Sequence, residues 1–236
     1  MPTIDDLLLE KRRYGLEQKA TEDEIKKLNM NMPIQLIMGY VEFLNTRINL
    51  NYNVLIPRYE TEEMVDLVLK KYIKNNMKIL DLCTGSGFIA ISLKKNNNTL
   101  DLTASDIDSN AIKQTKENAE LNLGKNHDIK IIQSDLFKDI KGKYDIIISN
   151  PPYVAYDDKD AQSESLKFEP EHAIFAPKEG WYFYEKILEE APIFLNKNGL
   201  LIFEINPKHK NIWKNIKNST LLKDINDKYR FAIVKF

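Results

Sequence analysis

The chain reads as an α/β protein whose core is a doubly wound, mostly parallel sheet of seven strands. Three observations predict this. From Lys78 onward, short apolar runs alternate with segments of helical spacing, the order that builds a parallel sheet covered on both faces. The first run, Lys78-Ile79-Leu80-Asp81-Leu82-Cys83, passes through Thr84-Gly85-Ser86-Gly87 into a helical stretch from Phe88 to Lys95. At the C-terminus, Thr220 to Asp224 and Tyr229 to Phe236 look like a hairpin that adds antiparallel strands.

Residues 1–32 predict a short helical region in two pieces. Thr3-x-x-Asp6 and Thr21-x-x-Glu24 resemble capping boxes, set before Leu7, Leu8 and Leu9 and before Ile25 and Leu28. So little chain has no independent core and leans on the rest, as a cap or a partner-binding surface. Glu10-Lys11-Arg12-Arg13 reads most simply as a solvated helix face. Residues 33–58 predict an extended linker, with Thr46 to Leu50 and Asn53 to Ile56 as a β-hairpin around an Asn-rich turn. From residue 59 to the end runs the main domain. It opens with a helix carrying Met64, Val65, Val68, Leu69 and Tyr72 on one period, its acidic Glu60, Glu62 and Glu63 suited to the positive end of the helix dipole and placed near a site mouth.

Further strands follow at Leu102 to Ser105, Ile129 to Gln133, Tyr144 to Ser149 and Leu200 to Ile205. Between Tyr153 and Gly180 lies a long polar segment without obvious structure, which in a compact domain is more often a binding loop or lid than filler.

At 236 residues and 43% hydrophobic, the chain holds one α/β domain with a small appendage. A formal net charge of −1 argues against affinity built on phosphate neutralisation, so no direct nucleic-acid partner is expected. The one cysteine, Cys83, excludes an internal disulfide and a multi-cysteine metal cluster, and at a strand end it reads as a small buried residue. The three histidines lack ligand spacing, so no metal is expected. Without a basic-then-apolar leader or an apolar run of spanning length, the expectation is a soluble, cytoplasmic protein with no membrane contact. A monomer is expected as well.

The chemistry concentrates in Asn150-Pro151-Pro152-Tyr153, directly after the apolar run Tyr144-Asp145-Ile146-Ile147-Ile148-Ser149. Neither proline has an N–H, and each holds the preceding residue extended, so carbonyl oxygens are displayed without competing donors. A planar NH2 group offers two donors, which the Asn150 oxygen and a proline carbonyl can accept, while Tyr153 lies against the flat face. A sulfonium methyl donor is the reactive partner such a poor nucleophile needs. Gly85 and Gly87 allow close backbone approach at a helix N-terminus, and Asp106, at the end of the second strand, stands where an acidic group reads ribose hydroxyls. Gly85-x-Gly87-x-x-Ala90 with Asp106 would equally serve a nicotinamide dinucleotide, and a purely structural glycine turn or a strand-terminating proline turn are the plainer readings. The Asn150 turn favours methyl transfer, because it offers no acid or base for hydride chemistry.

These residues resemble the HemK/PrmC family of protein-(glutamine-N5) methyltransferases. The resemblance runs from about Pro33 to the C-terminus and rests on Gly39-x-x-Glu42-Phe43, Ile56-Pro57-Arg58-x-Glu60-Thr61-Glu62, Asp81 to Gly87, Ser134-Asp135-Leu136-Phe137, Asn150 to Tyr153 and Phe168-Glu169-Pro170. It implies a Rossmann-like methyltransferase that takes its methyl group from S-adenosyl-methionine. The acceptor it implies is the glutamine of the Gly-Gly-Gln motif in class 1 peptide chain release factors. By the same resemblance, Cys83, Thr84, Gly85, Ser86, Gly87, Asp106, Leu136 and Asn150 bind the donor. Asn150, Pro151, Pro152 and Tyr153 hold the glutamine and carry the catalysis, Arg58 and Glu60 face the substrate, and residues 1–32 dock the release factor. Cys83, Asn206 and Asp227 stand where family members commonly carry glycine, and Asn and Asp tolerate left-handed backbone. The N-terminal helical region is short for the family. Two other readings stay open: a DNA or RNA exocyclic-amine methyltransferase gripping an extruded adenine or guanine, and a non-catalytic nucleoside-binding scaffold.

Overall fold

The computed structural model describes residues 2–159 and 164–236. The N-terminal region forms α1 (Ile4–Arg13) and α2 (Glu22–Asn29), and both capping boxes are present, Thr3 with Asp6 and Thr21 with Glu24. Leu7 is fully buried and Leu28 nearly so. Of the expected solvated face, Arg12 and Arg13 are exposed, and the correction falls on Lys11: it is buried, its ammonium donating to the Lys19 carbonyl at 2.7 Å and to the Glu24 carboxylate at 2.8 Å, so one charge clips the two helices together.

The linker differs from the extended reading. Pro33 starts a helical turn, α3 (Ile34–Met38), and Gly39 ends it with left-handed φ of 80°. The hairpin comes earlier than expected, from β1 (Tyr40–Phe43) and β2 (Thr46–Asn49), because Leu44 and Asn45 both take positive φ and close a two-residue turn. Asn53 to Ile56 forms no strand. Past β2, the backbone N–H of Tyr52 goes to the Gln114 side chain and that of Ile56 to Glu169, where a strand would need a neighbouring backbone. Val41, Phe43, Ile48, Val54 and Ile56 belong to the same apolar core as the main sheet.

Next come α4 (Tyr59–Lys71), β3 (Lys78–Leu82), α5 (Phe88–Asn96), β4 (Asp101–Asp106), α6 (Ser109–Leu123), β5 (Lys130–Gln133), β6 (Tyr144–Ser149), α7 (Tyr182–Phe194), β7 (Leu195–Glu204), α8 (Lys210–Lys214), β8 (Ser219–Lys223) and β9 (Tyr229–Lys235). They form a seven-stranded sheet in the order β5-β4-β3-β6-β7-β9-β8, parallel from β5 to β7, with β9 antiparallel to β7 and to β8. Side chains alternate across it as the pleat requires: Ile146 and Ile148 pack with α4, α5 and α6, while Ile147 packs with α7 and Trp213 of α8. Asp227 takes φ of 62° as a glycine substitute should, but Asn206 sits at −68°, so left-handed tolerance is not its role.

The polar segment from Tyr153 to Gly180 has more structure than its sequence suggested. Val154 bridges to Phe175, and 3-10 turns occupy Glu164–Phe168 and Glu171–Ala173. Residues 160–163 of that expected loop lie outside the described residues.

Candidate active site

The strand order reverses beside β3: the chain leaves it through β4 to β5, then returns to lay β6 along its other edge. Ligands of open α/β sheets bind in the crevice at such a switch point, off the carboxyl ends of the strands. Register brings two distant motifs together there. Leu82 pairs with Ser149, whose hydroxyl also donates to the Leu82 carbonyl at 2.6 Å, so the turn after β3 and the turn after β6 leave the sheet side by side.

A cavity of about 310 Å³ opens between them. Cys83, Thr84, Gly85, Ser86, Asp106 and Leu136 line it, and so do Asn150 and Pro152. Gly87, Pro151, Tyr153, Arg58 and Glu60 are not in its lining. The walls are completed by residues that motif reading did not single out as ligand contacts, among them Leu55, Pro57, Thr61, Ile107, His172 and Phe183.

The turn after β3 is tied from behind. Asp81 Oδ2 accepts from the Thr84 hydroxyl at 2.5 Å and from the Ala90 N–H at 3.1 Å, which pins the loop to the start of α5. Burial pushes the Asp81 carboxyl up to about 7, with its Oδ1 buried and unpartnered. Cys83 takes φ of 62°, the left-handed conformation that explains why glycine suits this position, and burial pushes its thiol up, away from nucleophilic use. Gly85 also has positive φ, 57°, and a Cβ placed on it meets nothing within 4 Å, so the backbone there faces open cavity. Gly87 is a packing glycine: a Cβ would lie 2.9 Å from Ile91 Cδ1 and 2.9 Å from Thr115 Cγ2.

Asp106 closes the cradle. Its oxygens accept the Gly85 N–H at 2.9 Å and the Asp108 N–H at 3.0 Å, fixing the carboxylate toward the cavity while each oxygen keeps a second lone pair for a hydroxyl. Burial pushes this carboxyl above its ordinary range. Leu136, with φ of 47°, is held by its carbonyl accepting the Ser134 hydroxyl at 2.8 Å and supplies an apolar wall. Backbone cradle, carboxylate and apolar wall together fit a nucleoside with free ribose hydroxyls.

At the other side, Asn150 Nδ2 donates to the Thr61 hydroxyl at 3.2 Å. Tyr153 is not among the residues that line the cavity. Its hydroxyl donates to Glu204 at 2.8 Å, its ring stacks on Tyr184 at 6.5 Å, and its carbonyl accepts from Asn206 Nδ2 at 3.2 Å, so it acts as a strut for the turn. Asn206, where a glycine was expected, therefore contributes a side-chain bond. Arg58 is engaged by Glu169 at 2.5 Å, and Glu62 and Glu63 accept the N–H groups of Leu44 and Ile225; these charges tie loops to α4. Among the described residues, no group of three metal-ligating side chains occurs and no helix is long and apolar enough to cross a membrane.

Residues 61–167 match the family model described as the methyltransferase small domain. The chain is similar to the release factor glutamine methyltransferase of Lactococcus lactis subsp. lactis, 40% identical over 201 residues covering 82% of this chain and 73% of that protein. It is similar also to the release factor glutamine methyltransferase of Streptococcus pneumoniae, 38% identical over 193 residues covering 81% and 68%. In fold it is similar to a methyltransferase from Pyrococcus furiosus, with a TM-score of 0.61, 18% identity and coverage of 92% of this chain and 98% of that one. Relatives this close over most of the length place the chain in the release factor glutamine methyltransferase family, as a methyltransferase that uses S-adenosyl-methionine.

Proposed function

We propose that this protein methylates the side-chain N5 of the glutamine in the Gly-Gly-Gln motif of class 1 peptide chain release factors. The observation that supports it is the meeting of Asn150 and Pro152 with Gly85, Asp106 and Leu136 around one cavity. S-adenosyl-methionine, when bound, supplies a methyl group on a positively charged sulfur, which keeps the carbon–sulfur bonding pair and leaves as a neutral thioether. The chain does the positioning: the Gly85 cradle and Asp106 hold the nucleoside, and the oxygen of Asn150 with a carbonyl of the proline pair accepts both amide N–H groups.

The glutamine nitrogen is a poor nucleophile because its lone pair is conjugated with the carbonyl. Full loss of that conjugation costs about 18–20 kcal/mol, so only partial pyramidalisation is asked of it. Acceptors aimed at the N–H bonds oppose positive charge that grows on nitrogen as the new bond forms, and they hold the nitrogen in line. A lysine ammonium has no lone pair and would bring a second positive charge, so it is rejected. After transfer the nitrogen is acidic, and its proton is lost to solvent at the cavity mouth.

Incubation of the protein with labelled donor and a purified class 1 release factor, followed by mass spectrometry of the loop peptide, tests the reading. A single added methyl on the loop glutamine is expected. Label on RNA with none on the release factor would overturn it.

A further inference from the structure

Asn150 can turn either its oxygen or its NH2 group toward the cavity, and only the oxygen accepts a substrate N–H. Three contacts on the acceptor side of the cavity, running from its wall residue Thr61 back to Glu204 and Tyr153, decide between them. Glu204 ends β7 with 1% of its surface exposed, and Thr61, in the first turn of α4, is 4% exposed. Glu204 Oε2 lies 2.6 Å from Thr61 Oγ1 and its Oε1 2.8 Å from the Tyr153 hydroxyl. A carboxylate has no proton to give, so both hydroxyls donate to it. Burial pushes this carboxyl up, while the two hydroxyls and the positive charge of Arg230 favour its ionised form. Thr61 has a single proton, and Glu204 takes it. Toward Asn150, 3.2 Å away, Thr61 offers only a lone pair, so the group facing it must be Nδ2 and the group left for the cavity is Oδ1.

We propose that Glu204 and Thr61 are positioning residues: a buried carboxylate and one hydroxyl set the polarity of the Asn150 amide so that the site presents an acceptor, selecting an NH2-bearing side chain over a carboxylate. This rests on the glutamine reading above and says how that site tells glutamine from glutamate. It also gives the Pro57-to-Glu62 motif a role at the acceptor side of the pocket, carried by Thr61 in place of the charged residues around it.

Three variants test it, with donor affinity by calorimetry and thermal unfolding run alongside kinetics. Thr61→Val keeps the shape but removes the relay; turnover on release factor is expected to fall about tenfold, the worth of one oriented hydrogen bond, with donor affinity unchanged. Thr61→Ser restores the hydroxyl and should restore turnover. Glu204→Gln can donate to Thr61, which reverses the relay, so it should match Thr61→Val and add nothing in the double variant. A release factor whose loop glutamine is replaced by glutamate serves as competitor: it should bind the wild type poorly and gain on the glutamine form in Thr61→Val.

Wild-type turnover and glutamine preference retained in Thr61→Val, or a Thr61→Ser variant as impaired as Thr61→Val, would overturn the relay while leaving the methylation reading intact. A loss confined to donor affinity would overturn it too. Absence of transfer by the wild-type protein would remove the reading itself and the relay with it.

Discussion

Replacing Gly180 with alanine asks how firmly the acceptor turn is seated. Gly180 has φ of +85°, and a Cβ built on it lies 2.2 Å from the carbonyl oxygen of Tyr153 and 2.7 Å from its carbon. Real Cβ atoms do not approach other atoms within 3.0 Å, so one of two backbones must move by roughly 1 Å. Neither is free to do so cheaply. The Tyr153 carbonyl accepts from Asn206 and its hydroxyl donates to Glu204, while the Gly180 N–H is bonded to the Ala176 and Pro177 carbonyls. Left-handed backbone costs an L-residue about 1–2 kcal/mol. Overpacking adds about 1–3 kcal/mol, and the stiffer unfolded chain returns about 0.4–1 kcal/mol. The balance, about 2–4 kcal/mol, lowers the unfolding midpoint of a chain this size on the order of 10 °C. A shift near 1 Å in a positioning group costs turnover roughly a hundredfold. Gly142→Ala is the control, because φ there is +89° yet a Cβ meets nothing within 4 Å. It should lose about 1 kcal/mol and keep full turnover. Thermal unfolding and single-turnover methylation of release factor measure both. If Gly180→Ala melted with the control and turned over within about threefold of wild type, the idea that a rigid turn holds Asn150 in place would be refuted.

Asn150→Ala should depress turnover far more than donor affinity, and Asp106→Ala the reverse; calorimetry and kinetics giving equal losses for either would reassign that residue. Among the described residues, Arg58→Ala leaves the Glu169 carboxylate, 2% exposed, with the Ile56 N–H alone. Because Arg58 is itself 36% exposed, water screens part of the loss, and about 2–3 kcal/mol in urea unfolding is expected in place of the larger penalty of a sealed pair. A change below about 0.5 kcal/mol would show that the linker is held by other contacts. Asp81 titrates at about 7 when folded against an ordinary 3.8, so its contribution to stability is full below the lower value and is lost as pH rises through the upper one. That loss is on the order of 4 kcal/mol. Asp81→Asn should flatten the stability profile between pH 4 and 8, and parallel profiles for the two proteins would contradict the burial argument.

Much of this fold could be read from one strand at a time. Tyr144 to Ser149 ends where its apolar run ends, the capping boxes of α1 and α2 form as written, and the positive φ of Cys83 and Asp227 marks places where glycine is the easy choice. Such features are local, set by side-chain period, hydroxyl reach or the sterics of a single residue. The linker was harder, because Leu44 is a poor advertisement for a tight turn and the donors of Tyr52 and Ile56 find side chains more than fifty positions away.

The amino-acid sequence by itself determined the parts of the site: a glycine-rich turn, an acidic residue a strand later and an acceptor-rich proline turn, each dictated by chemistry within a few residues. Only the tertiary structure decided that they meet. The pairing of β3 with β6 sets Leu82 beside Ser149, and the approach of α4 to the end of β7 puts Thr61 between Asn150 and a buried Glu204. A lone glutamate at the end of an apolar strand gives no sign of such a partner, because the direction of a hydroxyl proton depends on what lies across the fold, and that is settled by sheet order and packing.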